Sequence, residues 1–172
     1  MRKPWNQLKA RDLMRSPVIA LDTETPLGEA ARTLSEHQIS GALVTDHRGA
    51  AVGVVSLFDI VTYLAGLERP PGEPGGFYRM GHPDFAEEEG AGDEPSEPTE
   101  DDELRTVTVG EIMSPEIFSI PPETPAVEVA RILSERRIHR VFVSDARGPL
   151  GIISTLDVLG AVAGLRSARA SA

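Results

Sequence analysis

Apolar residues recur along this chain with two periods, and each period marks a type of element. Leu27, Ala30, Ala31 and Leu34 stand at i, i+3, i+4 and i+7, the spacing of one buried helical face. Thr25-Pro26 predicts where that helix starts: a threonine oxygen can cap free amide N–H groups, and proline suits the first helical position. Upstream, Val18 to Leu21 reads as a short strand. Before it lies a helical turn from Leu8 to Met14 that Ser16-Pro17 stops, since a residue before proline avoids helical geometry. Downstream, Ile39 to Thr45 and Ala51 to Val55 read as strands around the turn Asp46-His47-Arg48-Gly49. Leu57 to Leu67 returns to the helical period, with Ile60, Val61, Leu64 and Ala65 expected on its inner face. The order is β-α-β-β-α.

The same pattern then comes back. Gly53-Val54-Val55-Ser56-Leu57-Phe58-Asp59-Ile60 is repeated as Gly151-Ile152-Ile153-Ser154-Thr155-Leu156-Asp157-Val158. Thr25-Pro26 returns as Thr124-Pro125, Leu34-Ser35-Glu36 as Leu133-Ser134-Glu135, and Met14 with Ser16-Pro17 as Met113 with Ser114-Pro115. In the second copy Val129, Ala130 and Leu133 lie on the first helix, Ile138 to Ser144 and Leu150 to Ile153 form strands, and Leu156 to Leu165 is the last helix. A unit of about 60 residues buries only roughly 60% of its unfolded surface, so the copies are expected to pack on each other. The expectation is an α/β (α+β) fold: repeat 1 at 8–68, repeat 2 at 107–166, paired with pseudo-two-fold symmetry and offering two related clefts.

Charge separates the connector from the repeats. Of 27 acidic residues 12 fall between 69 and 106, with 3 of the 17 Lys and Arg, a net of −9 out of −10 for the chain. The repeats are close to neutral. That acidity, with Pro70, Pro71, Pro74, Pro83, Pro95 and Pro98, predicts a largely flexible linker at 69–106. Phe77-Tyr78-Arg79-Met80 in its middle could instead dock on a cleft or a partner, and Glu87-Glu88-Glu89 and Asp101-Asp102-Glu103 could attract Mg²⁺, although such runs lack the defined turn that a hard cation needs. Cysteine is absent, which excludes disulfides and thiolate metal sites. No apolar run approaches the roughly 20 residues of a membrane span, and no signal core follows Met1-Arg2-Lys3-Pro4-Trp5, so a cytoplasmic protein is the simplest expectation.

Catalysis has no visible foothold. Phosphate loops, zinc-helix motifs, nucleophile elbows and dinucleotide fingerprints are missing, and His37, His47, His82 and His139 are not at ligand spacing from one another. The repeated Gly-φ-φ-Ser-x-x-Asp segment (φ apolar) has two readings. Ser56 with Asp59, and Ser154 with Asp157, are placed as capping boxes useful to any helix. Alternatively each carboxylate, at a strand-to-helix turn beside a glycine that admits close approach, can accept two hydrogen bonds from a vicinal diol such as a ribose.

These motifs, in order and twice over, resemble cystathionine-β-synthase (CBS) domains, and the pair resembles a Bateman module. The resemblance covers about residues 8–68 and 107–166. It implies β-α-β-β-α repeats packed sheet to sheet, adenosine nucleotides (AMP, ADP or ATP) bound between the repeats with or without Mg²⁺, no other cofactor, a homodimer, and a separate regulated protein. In one cleft Asp157, Ser154 and the backbone of Ile152 would hold the sugar against Thr25, Ala30, Ile39 and Ser40. In the other, Asp59, Ser56 and Val54 would meet Thr124, Val129 and Ile138. A His-Arg pair after the strand isoleucine reaches ligand phosphates in some members. Ile138-His139-Arg140 matches it, whereas the first copy has Ile39-Ser40-Gly41. Arg136 and Arg137 are read as helix-end cations outside the site. A structural dimerisation module without ligand is the alternative. Nucleic-acid binding is disfavoured by a neutral core and an acidic linker, and no membrane contact is expected.

Overall fold

The computed structural model describes residues 3–67, 76–78 and 104–165. After a 3-10 turn at Trp5–Gln7, the first half runs α1 (Ala10–Leu13), β1 (Ala20–Asp22), α2 (Leu27–Glu36), β2 (Gly41–Thr45), β3 (Ala51–Ser56) and α3 (Leu57–Leu64). The second runs α4 (Val109–Ile112), β4 (Ser119–Ile120), α5 (Ala126–Glu135), β5 (Arg140–Asp145), β6 (Gly148–Ser154) and α6 (Thr155–Val162). Each half forms its own three-stranded sheet, β1-β2-β3 and β4-β5-β6. In both, the first pair is parallel and the second antiparallel, with a bulge at the equivalent step, Val44/Thr45 and Val143/Ser144. The predicted β-α-β-β-α order is therefore present twice.

Strand pleating explains how two sheets share a core. Along β2 side chains alternate faces: Ala42 and Val44 pack with Leu27, Ala30 and Leu34 of α2. Leu43 points the other way, into a cluster with Val141, Phe142, Val143 and Ile153 of the second sheet. Both faces of the strand are covered, so four successive residues from Gly41 are buried. A fully buried leucine such as Leu27 or Leu34 contributes about 1.5–3 kcal/mol.

The opening helices cross over. Ala10 and Leu13 of α1 belong to the core of the second half, with Val129 and Leu133; Val109 and Ile112 of α4 belong to the core of the first. Their neighbouring strand-like residues pair with the opposite half too: Arg15 exchanges both backbone hydrogen bonds with Ile152 (2.8 and 3.0 Å), and Ser114 both with Val54 (2.8 Å each). Gly53 and Gly151 make this possible. A Cβ on Gly53 would lie 2.5 Å from the Ser114 carbonyl oxygen and 2.9 Å from the Met113 sulfur; one on Gly151 would lie 2.7 Å from the Arg15 carbonyl oxygen and 2.8 Å from the Met14 sulfur. The glycine of the repeated motif thus admits the crossed chain, and the repeated methionine is what packs on it.

The crossover also corrects the expected helix start. Pro26 and Pro125 occupy the cap positions of α2 and α5, and no side chain caps either helix. The first-turn N–H groups find backbone carbonyls of the other half instead: Leu27 donates to Val107 (3.0 Å) and Ala126 to Leu8 (2.9 Å). The inner face expected for the last helix is corrected as well. Ile60 is buried, but Val61 is 59% exposed and Leu64 and Ala65 face solvent with Leu57 and Phe58. The helix is apolar nearly all round, so the period alone does not say which stripe packs inward. On α6, Leu156, Leu159 and Val162 are likewise exposed.

Candidate functional site

Both Ser-x-x-Asp segments fold as complete capping boxes. Ser56 Oγ accepts from the Asp59 N–H (3.2 Å), and Asp59 Oδ2 accepts from the Ser56 N–H (2.8 Å) and hydroxyl (2.7 Å). The second box repeats this, with Asp157 Oδ2 accepting from the Ser154 N–H (2.8 Å) and hydroxyl (2.5 Å). In each box one carboxylate oxygen serves the cap and the other faces a donor from elsewhere. Asp59 Oδ1 accepts from the Gly76 N–H (3.3 Å), and Asp157 Oδ1 from the Arg15 Nε–H (2.6 Å). Both aspartates are buried, at 3% and 6% exposure, whereas the Arg15 side chain is half-exposed.

A second group assembles around the connector. Phe77 and Tyr78 are among the largest fully buried side chains, at 1% and 0% exposure. The Phe77 ring lies parallel to Phe142, centroids 5.4 Å apart, and the Arg140 guanidinium sits 4.8 Å from its centre. Arg140 also donates to Ser40 Oγ of the opposite repeat (2.8 Å). Burial lowers the Arg140 pKa, an effect that nearby Tyr78 opposes. The Tyr78 carbonyl accepts from the His139 N–H (2.7 Å), its hydroxyl accepts from the Phe118 N–H (2.8 Å), and its ring meets Phe118 edge-on at 4.7 Å. Arg136 is more than a helix-end cation: its guanidinium lies 5.4 Å from the centre of the same Phe118 ring.

Burial pushes the Tyr78 phenol up from 10.0 to about 12, against the Phe118 N–H, which favours the phenolate. The folded value lies above the unfolded one. The associated stability is therefore whole below pH 10 and lost as pH climbs from 10 to about 12, a change of about 2–3 kcal/mol. Urea unfolding along a pH series is expected to show that loss in the wild type and a flatter profile for Tyr78→Phe.

The sequence-derived residues fall into two sets. Asp59 and Ser56 of repeat 1 approach Ser40, His139 and Arg140 through Gly76–Tyr78. Asp157 of repeat 2, capped with Ser154, meets Arg15, whose backbone pairs with Ile152. Ala30 and Val129 are fully buried among core residues, and Ile138 nearly so. Val54 is fully buried and its backbone is committed to Ser114. Thr25 and Thr124 are half-buried and meet the crossed helices through their carbonyls, which accept from Val109 and Ala10 (2.8 Å each). Ile39 is half-buried against the first core. A shallow groove of about 380 Å³ runs past Leu133, Ile138, His139, Thr155 and Val158. Arg15, Phe118 and Phe142 escaped the motif reading. Arg15 pairs with Ile152 in the register where the other repeat pairs Ser114 with Val54.

Among the described residues no group of His, Asp and Glu could hold a metal ion. The carboxylate runs 87–89 and 101–103, with Arg79, Met80 and His82, lie outside the described residues. No described helix is long and apolar enough to cross a membrane.

The CBS domain family model matches residues 10–66 and 109–164, two regions that coincide with the two halves of the fold. The chain belongs to the CBS-domain family. No curated protein matches it. Solved CBS structures share its architecture at low identity. A CBS-domain-containing protein from Agrobacterium tumefaciens is 21% identical, with 94% of this chain and 98% of that one covered and a TM-score of 0.64. The CBS domain of a bacterial CNNM/CorC family Mg²⁺ transporter in complex with ATP is 20% identical, with coverage of 94% and 91% and a TM-score of 0.63. CBSX2 in complex with AMP is 22% identical, with coverage of 91% and 97% and a TM-score of 0.61. The two CBS repeats are mixed sheets with helices, as in those structures, and each repeat is completed by the opening segment of the other.

Proposed function

We propose that this CBS pair is a non-catalytic regulatory module that binds an adenosine nucleotide between its repeats and signals to a separate protein. One observation carries the reading. Each buried aspartate uses a single oxygen for its helix cap and turns the other to a donor outside the helix, Gly76 or Arg15. A carboxylate needed for capping alone has no use for the second direction; a vicinal diol does. The CBS structures with ATP and with AMP support the ligand class. In the Asp59 cleft Arg140 and His139 would supply the cation and the imidazole for phosphates, and Mg²⁺ would enter with those phosphates rather than on a protein cluster. The exposed apolar residues of α3 and α6 support a homodimer through these helices, because so large an apolar surface marks an interaction site.

Thermal denaturation with AMP, ADP and ATP, each with and without Mg²⁺, tests this. Ligand at a hundredfold excess over Kd adds about 2.7 kcal/mol, so the cognate nucleotide is expected to raise Tm by roughly 5–10 °C for a chain of this size. A flat response to all of them removes the sensor reading. It would favour the structural dimerisation module, which has its own support: both carboxylates are already satisfied within the chain.

A further inference from the structure

The connector segment lies between Asp59 and the Arg140–Phe142 pair, and it offers them groups of the kind a nucleoside would. A nucleoside presents a flat ring joined to hydroxyl donors. Here the Gly76 N–H reaches Asp59 Oδ1 at 3.3 Å, and the next residue lays a flat ring on Phe142 and against the Arg140 guanidinium. Stacking on an aromatic face and attraction to a guanidinium are the contacts a purine would make with that pair. The seat for the ring is built by the difference between the repeats. Gly41 stands where repeat 2 has Arg140, and a Cβ there would lie 2.5 Å from Phe77 Cδ2. Tyr78 then locks the segment through its carbonyl on His139 and its hydroxyl on Phe118. The Asp157 cleft is covered differently: a half-exposed arginine side chain reaches Asp157 Oδ1, and it can swing aside without moving any backbone.

We infer that Gly76-Phe77-Tyr78 is a built-in occupant of the Asp59 cleft, so that the module carries one accessible nucleotide cleft, at Asp157, and one that a nucleotide enters only by displacing Phe77. This rests on the nucleotide reading above. If the segment leaves its seat in one molecule of a hundred, the Asp59 cleft binds roughly a hundredfold more weakly than its intrinsic affinity. Ejection frees the His139 and Phe118 amides, so occupancy of the cleft changes the exposure of the connector.

Calorimetry with AMP on the full chain tests the inference. Wild type is expected to bind one AMP per chain. Phe77→Ala is expected to bind two, the gained site disappearing when Asp59→Ala is added. Gly76→Val provides a second route that does not hollow the core, because a Cβ at that position would lie 2.4 Å from Phe58 Cδ1 and push the segment out. Amide exchange at Phe118 and His139 reports whether the segment has left, independently of ligand. One AMP per chain in both variants, with those amides exchanging freely, overturns the inference and leaves the nucleotide reading intact. Two AMP per wild-type chain with the amides still protected does the same. Binding confined to the two variants overturns the assignment of Asp157 as the open cleft. No binding of AMP, ADP or ATP by wild type or either variant removes both readings together.

Discussion

Gly53→Ala is expected to destabilise the protein by roughly 2–5 kcal/mol, from overpacking and strained hydrogen bonds, with Gly151→Ala close behind. The added methyl carbon would sit 2.5 Å from a backbone oxygen in the first case and 2.7 Å in the second. Neither oxygen is the tip of a flexible side chain. Each belongs to a residue that exchanges two backbone hydrogen bonds with the strand residue after the glycine, so it can retreat only by breaking the bridge. With total stabilities of about 5–15 kcal/mol for folded proteins, either change removes a large fraction of the whole. Gly160→Ala provides the opposite sign. It sits within α6, where the added carbon would meet the Leu165 carbonyl oxygen at an ordinary 3.5 Å. A gain of about 0.5–1 kcal/mol is expected from helix propensity. Urea denaturation of the three variants measures all of this. A neutral Gly53→Ala would show that the crossed segments do not hold the repeats together.

Asp157→Ala is expected to weaken AMP binding about a hundredfold, the loss of charge-assisted hydrogen bonds worth about 1.5–3 kcal/mol in all. Folding is expected to suffer less, by about 1 kcal/mol for the capping box, because Arg15 is half-exposed and its freed charge can hydrate. Arg15→Ala separates the two roles of the carboxylate. It releases Oδ1 while leaving the cap intact, so the affinity for adenosine, which has no phosphate to attract the arginine, is expected to rise. Calorimetry reads both, with circular dichroism as the control on fold. Unchanged AMP affinity in a folded Asp157→Ala protein would leave the aspartate as a helix cap and nothing more.

What the sequence disclosed was local. The helical period of Leu27, Ala30 and Leu34, the strand runs around Leu43 and Phe142, and the twin Ser-x-x-Asp boxes are set by neighbours within a few residues, and they stand where expected. What it concealed depends on contacts far along the chain. Thr25-Pro26 looked like a self-sufficient cap, but the N–H of Leu27 is served by Val107, some 80 residues away. The motif glycine admits close approach, but the sequence does not say of what; at Gly53 it is Met113 and Ser114. Phe77 and Tyr78 stand in a polar, proline-rich connector whose average composition argues for solvent; their burial follows the docking alternative that the aromatic cluster itself suggests, although which core they complete is not local information. For the candidate site, both aspartates, Ser40, His139 and Arg140 were visible as motif positions. Their partners Arg15 and Phe142 were not, because nothing local distinguishes an arginine or phenylalanine that reaches across a seam.

The crossed opening helices have a consequence for origin and handling alike. Two identical subunits that traded their first helices would have the architecture seen here once their chains were joined end to end. This molecule therefore has the form of a domain-swapped dimer fused into one polypeptide, and the connector's basic task is to keep the local concentration of the two partners high. Severed between its repeats, the protein should survive as a tight two-fragment complex, while either fragment expressed alone should lack the helix that closes its core.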